Sequence, residues 1–139
     1  MWKYYALLSA FFAALTALLA KCGVSGINSN LATAIRTGVI LLITWGIVLF
    51  GGTLPEIGRL SVRNWIFLTA SGIATGLSWL FYFKALQLGD VSKIAPIDKL
   101  SVAMAVILGI VILHEKITLP VAAGTALIVA GSLVMLLGK

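Results

Sequence analysis

The chain is poor in the residues that carry most enzyme chemistry. Its 139 residues include one cysteine, one histidine and four carboxylates. A lone cysteine excludes a disulfide framework. One cysteine and one histidine cannot build a structural zinc site or a Cys/His catalytic pair within one chain. No Gly-rich phosphate loop is present, and His114 has no nucleophile placed beside it in the sequence. No enzymatic activity, metal or cofactor is therefore expected. Charge is scarce too: only 10% of residues are Asp, Glu, Lys or Arg, against about a quarter in a soluble domain. That excludes an ordinary water-soluble globule. A disordered chain is also excluded, because disorder needs low hydrophobicity.

The net charge of +6 raises the question of nucleic acid. The ten Lys and Arg stand singly at the ends of apolar runs, and no basic stripe with interleaved aromatics exists. The sequence therefore gives no reason to expect a nucleic-acid partner. Basic flanks on apolar segments suit a bilayer with anionic headgroups.

Apolar residues fill that gap. They make up 61% of the chain, and the mean hydropathy is +1.14. A helix crosses the hydrocarbon core in about 20 residues. Five segments reach that length: 4–20, 31–50, 64–83, 94–113 and 117–138. Their apolar runs are continuous rather than alternating, which favours helices over a barrel. Gly23, Gly26, Asn28, Gly51, Gly52, Pro55, Gly58 and Gly89 mark the links, with His114, Glu115 and Lys116 in the shortest. Thr53 and Ser61 are expected helix caps. Trp2, Tyr4, Tyr5, Trp65, Trp79 and Tyr82 lie mostly near span ends, as interface aromatics do. The fold class is therefore all-α: a single polytopic membrane domain, 1–139, of five transmembrane helices.

The first span is expected to be retained rather than cleaved. It is long for a signal core, and Lys21 spoils a lipoprotein box ahead of Cys22. An odd span count puts the two ends on opposite sides. Lys3, Arg59, Arg63 and Lys116 then face one side, and Lys21, Arg36, Lys84, Lys93, Lys99 and Lys139 the other. Four against six is a weak bias, so insertion in both orientations is expected.

Polar residues within the spans fall on faces. The first span aligns Tyr5, Ser9, Phe12 and Thr16. The second aligns Asn30, Thr33, Thr37 and Thr44, with Arg36 at the edge, and the third aligns Ser71, Thr75, Ser78 and Tyr82. These faces fit either a substrate path or hydrogen-bond glue between helices, worth about 0.6 kcal/mol per pair. Asp98 and Lys99 sit early in the fourth span, just after Pro96, and Arg36 lies early in the second. Intramembrane charges are costly and usually face a bundle interior or a wet cavity. Lys84, Lys93 and Lys99 read as snorkelling anchors. Asp98 and Arg36 fit either a substrate role or an ion pair. Gly72 and Gly76 read as a close-packing site within the chain. In the fifth span, Ala122, Gly124, Ala126, Ala130 and Gly131 permit close helix approach, either as a dimer seam or against the fourth span.

Three stretches carry a resemblance to a known family. They are Tyr82 to Pro96 (YFKALQLGDVSKIAP), Leu113 to Lys116 (LHEK), and Gly124 to Gly131 (GTALIVAG). In order and spacing they resemble a single EamA domain of the drug/metabolite transporter superfamily. Arg36 sits where an Arg is common in that family. The resemblance implies half of a ten-helix inverted repeat, since most members carry two such domains. It implies a small-molecule transporter of a bacterial or archaeal plasma (inner) membrane, acting by alternating access. It also implies a homodimer whose copies are free to be antiparallel, with the last span as the seam. The smaller multidrug-resistance branch has an essential Glu in its first helix; here that stretch reads Phe11 to Thr16 without a carboxylate, so proton-for-cation exchange does not carry over. The expected substrate-binding set is Asp98, Arg36, Tyr5, Ser9, Thr37, Thr75, Ser78 and Tyr82. A lipid-linked flippase and a non-transporting partner protein are the alternatives. The expected partners are membrane lipid, a second copy of the chain and a small-molecule solute.

Overall fold

The computed structural model describes residues 1–138. Its elements are α1 (Trp2–Val24), α2 (Ser29–Phe50), a short 3-10 helix (Leu54–Arg59), α3 (Val62–Leu88), α4 (Val91–Asp98), α5 (Leu100–Leu113) and α6 (Leu119–Leu137). Among the described residues there is no strand. Trp2–Val24, Ser29–Phe50, Val62–Leu88, Val91–Leu113 and Leu119–Leu137 are each long and apolar enough to cross a membrane. Large side chains such as Leu7, Phe11, Leu42, Phe67, Phe81, Val111 and Leu127 lie exposed along these helices. Such a surface suits hydrocarbon and not water. The protein is an integral, multi-pass membrane protein.

The joints follow local chemistry. Asn28 opens α2, and its side chain accepts the Asn30 amide at 2.8 Å. Gly26 and Gly52 take positive φ, at 78° and 69°, where the chain reverses. Ser61 caps α3 as expected, its hydroxyl accepting the Asn64 amide at 3.2 Å. Thr53 does not cap the helix after it; its hydroxyl turns back to the Val48 carbonyl at 3.5 Å. Pro55, fixed in φ, lies in the first turn of the 3-10 helix, in a stretch read from sequence only as a link.

The fourth span departs from the continuous helix expected over 94–113. It breaks between α4 and α5, at Lys99. Pro96 has no amide to give the preceding turn, and its ring crowds that turn's carbonyl. The chain tightens there, and the Lys99 amide bonds the Pro96 carbonyl at 3.1 Å. The Ser132 hydroxyl of α6 donates to the same oxygen at 2.8 Å. Ser132 is buried, at 4% exposure, so this bond is shielded from competing donors. Ser132→Ala should cost about 1 kcal/mol, readable as a lower midpoint in detergent unfolding.

The chain divides into two compact units. One holds Met1–Leu18 and the chain from Leu88 onward, and the other holds Leu19–Gln87. In the first, α6 packs against both α4 and α5. In the second, Val24, Phe83 and Leu86 are the most buried apolar side chains, with Ala20, Ala32, Ser29 and Thr33 also buried. The last carbonyls of a helix lack intrahelical donors. One long-range bond supplies a donor at the end of α3, where the Lys21 ammonium reaches the Leu86 carbonyl at 2.6 Å; the Gln87 side-chain amide in turn donates to the Ile27 carbonyl in the α1–α2 link at 2.7 Å. A cation at a helix C-terminus also opposes the helix dipole favourably. Lys21→Met keeps the apolar stem and removes the donor. It should destabilise the chain by about 1.5–3 kcal/mol, measured by denaturing-detergent titration.

Candidate functional site

Arg36 lies two turns into α2, where the side chain reaches across to α3. Its guanidinium carbon sits 4.1 Å from the Trp79 ring centroid and 5.4 Å from that of Phe83. Trp79 and Phe83 are four residues apart, so successive turns of α3 present both rings to one cation. A planar guanidinium over an indole face is held by cation–π attraction and keeps its edge donors outward. Tyr82 is near enough to interact with Arg36 electrostatically. Among the described residues, no carboxylate or other acceptor takes a hydrogen bond from this guanidinium. Arg36 is therefore held against the two rings, and among the described residues its donors remain available.

The neighbouring hydroxyls spend their protons within their own helices and not as glue between helices. Thr33 bonds the Ser29 carbonyl at 2.9 Å, and Thr37 bonds the Thr33 carbonyl at 2.8 Å. Thr44 bonds the Ile40 carbonyl at 2.9 Å, and Thr75 the Ser71 carbonyl at 2.9 Å. Each proton returns to its own helix, one turn back, while the oxygen keeps acceptor capacity. Ser78 is exposed, and Tyr82 is partly buried on the face of α3 that carries Trp79. The structure thus brings Arg36 and Tyr82 together within one unit. Trp79 and Phe83 were missed as site residues. Their spacing from Thr75, at plus four and plus eight, puts them on the polar stripe already recognised.

Tyr5, Ser9 and Asp98 belong to the other unit. Tyr5 and Ser9 are exposed on α1. Asp98 ends α4 at the helix break, its side chain 43% exposed and 4.0 Å from the Lys99 ammonium. That contact is at the edge of ion-pair range. It leaves the carboxylate open to other partners.

The small-residue face of α6 can also be placed. A Cβ built on Gly124 or Gly131 meets nothing within 4 Å. Ala126, Ala130 and Gly131 are exposed, and Ala122 and Gly124 partly so. Gly72 and Gly76 are equally open: among the described residues nothing lies within 4 Å of a Cβ built there, where close packing within the chain was expected. Gly109 behaves oppositely. It is buried, and an added Cβ would come 3.0 Å from a Glu115 carboxylate oxygen. The chain turns back here: His114 takes left-handed φ of 54°, and the Glu115 amide bonds the Gly109 carbonyl at 3.1 Å.

Five apolar helices, a broken fourth span and a stacked, donor-bearing arginine define a polytopic membrane protein built like a solute transporter. The model of the EamA-like transporter family matches residues 1–137, and the chain belongs to that family. It is 51% identical over 134 residues to an "uncharacterized transporter in cobO 3'region" of a Sinorhizobium species, covering 96% of this chain and 95% of that one. No solved structure matches it. The protein is a membrane transporter.

Proposed function

We propose that the chain is a small-molecule carrier of an inner membrane, working by alternating access as a homodimer, and that Arg36 receives an anionic group of the solute. The observation that carries this reading is the guanidinium stacked on Trp79 at 4.1 Å with its donors unengaged among the described residues. A charge within a span costs about 2.5–3.5 kcal/mol at the centre and less toward the interface. A purely structural position could substitute a neutral side chain and avoid that cost. The planar fork of an arginine suits a carboxylate or phosphate oxygen pair.

Asp98 has a second role in this reading, as a carboxylate at the break of the fourth span. Broken helices place free backbone carbonyls beside transported solutes and ions in other carriers. In the unit that carries Arg36, Thr37, Thr75, Ser78 and Tyr82 supply the polar lining. The Gly124 and Gly131 face, open to a Cβ at both positions, supports the dimer reading, because five helices make half of a ten-helix repeat. An unfused pair regains that symmetry when one copy is inverted.

A binding panel tests the solute class. Purified protein in detergent is heated with amino acids, organic acids, nucleotides and cationic drugs. A carboxylate- or phosphate-bearing class should raise the unfolding midpoint, since a ligand that binds only the folded form stabilises it. Stabilisation by cationic compounds alone would overturn the anionic assignment.

A further inference from the structure

A second site lies away from Arg36. Where α2 ends, the chain doubles back through the 3-10 helix and leaves an open cleft of about 270 Å³. Thr44, Trp45, Val48, Glu56, Ile57 and Leu60 line most of it. Thr44 spends its hydroxyl proton on the Ile40 carbonyl, and Thr53, also at the rim, spends its own on the Val48 carbonyl. That leaves Glu56 as the charged group of an otherwise apolar cleft, with an indole among its walls. In a 3-10 helix, residues three apart lie over one another. Arg59 therefore stacks above Glu56 along one side of the Leu54–Arg59 helix, about 6 Å further on at a rise of about 2 Å per residue. Among the described residues, no ion pair joins the two.

Depth identifies the occupant. Thr44 to Phe50 are the last two turns of a candidate span, within about 9 Å of its end at 1.5 Å per residue. The cleft therefore runs from the acyl region at Thr44 out to the end of the span, and the Leu54–Arg59 helix that follows it lies at the level of lipid headgroups and glycerol. The cleft meets three demands of a zwitterionic lipid at once. It offers a carboxylate beside an aromatic face for an ammonium. It offers an arginine a short step away for a phosphate. Its apolar wall of Val48, Ile57 and Leu60 adjoins the exposed apolar surface of α2, along which an acyl chain can lie.

The geometry points to a seat for a phosphatidylethanolamine-type lipid: the headgroup ammonium at Glu56 and Trp45, and the phosphate at Arg59. This seat is independent of what the carrier moves. A primary ammonium can donate to Glu56, whereas a quaternary choline ammonium has no proton to give, so the seat discriminates between the two zwitterionic headgroups.

The test uses the full chain reconstituted in nanodiscs of mixed phosphatidylethanolamine, phosphatidylcholine and phosphatidylglycerol. Lipid retained after mild detergent extraction is quantified by native mass spectrometry. Retained lipid should be enriched in phosphatidylethanolamine over phosphatidylcholine. Glu56→Gln should cut that enrichment by about threefold, the scale of an exposed charge contact. Arg59→Gln should lower retention of both zwitterionic lipids, and Arg63→Gln should leave both unchanged. Equal retention of all three lipids by the natural chain, or enrichment that survives Glu56→Gln, overturns the assignment. Displacement of the lipid by millimolar soluble phosphoethanolamine would also overturn it, because the acyl chain would then contribute nothing.

Discussion

Arg36→Gln should remove most solute uptake while the chain still inserts and folds. Charge-assisted hydrogen bonds contribute about 1.5–3 kcal/mol, so loss of the fork should weaken solute binding by about ten- to a hundredfold. Arg36→Lys is the informative companion. It keeps the charge but loses the guanidinium's contact with Trp79 and Phe83 and the bidentate geometry. Its uptake should fall between the natural chain and the Gln variant. A merely structural role predicts a different pattern. Both variants would then lose thermal stability in proportion to the lost cation–π contact, about 0.5–2 kcal/mol, and uptake per folded molecule would not change. Asp98→Asn should preserve expression and self-association but remove uptake or its pH response. Full uptake with an unchanged pH response in variants at both positions would leave neither residue a part in solute handling.

Gly124→Leu and Gly131→Leu should each sharply reduce the dimer fraction in mild detergent. Both positions are open within the chain, so a leucine there has no intrachain clash to complicate the reading. Lipid gives no hydrophobic drive between helices, and association depends on close backbone packing that leucine would prevent. Gly38→Leu and Gly46→Leu are suitable references, being equally open. Gly109 is not, because Glu115 covers it and a side chain there would disturb the α5 turn. An unchanged dimer in both α6 variants would move the contact to the open Gly72 and Gly76 face of α3. An antiparallel pair adds one more expectation: a C-terminal tag should be labelled from both sides of intact cells. Labelling from one side alone would leave only a parallel arrangement.

The spans were legible because a bilayer asks so little of a sequence: length, apolarity and polar breaks. Four of the five candidate spans coincide with single helices and the fourth with the broken pair α4 and α5, while α3 runs past both ends of its apolar stretch, to Val62 and Leu88. Its last turn is tied down because Lys21 donates to the Leu86 carbonyl there and Gln87 donates to Ile27 in the α1–α2 link, tertiary effects with no local signal. The break at Lys99 was half legible. Pro96 announced a missing amide, but the donor that accepts the consequence is Ser132, thirty-six residues on. Arg36 stood out from the sequence as a charge in a span. Its aromatic support did not, because Trp79 was read as an interface anchor, and anchors and cation platforms use the same residue. The threonine stripes were visible as faces. Whether a hydroxyl serves its own helix or a neighbour depends on a side-chain rotation that periodicity does not encode.

The carrier assignment itself meets its most direct test in counterflow. Liposomes holding the purified chain are preloaded with an unlabelled solute of the class that stabilises the protein, then diluted into trace labelled solute. A carrier that alternates its access exchanges label inward before the gradient decays. The account predicts a transient overshoot of label that the Arg36→Gln protein does not give. Label that never exceeds the level in protein-free liposomes, for every solute class in the panel, would contradict it.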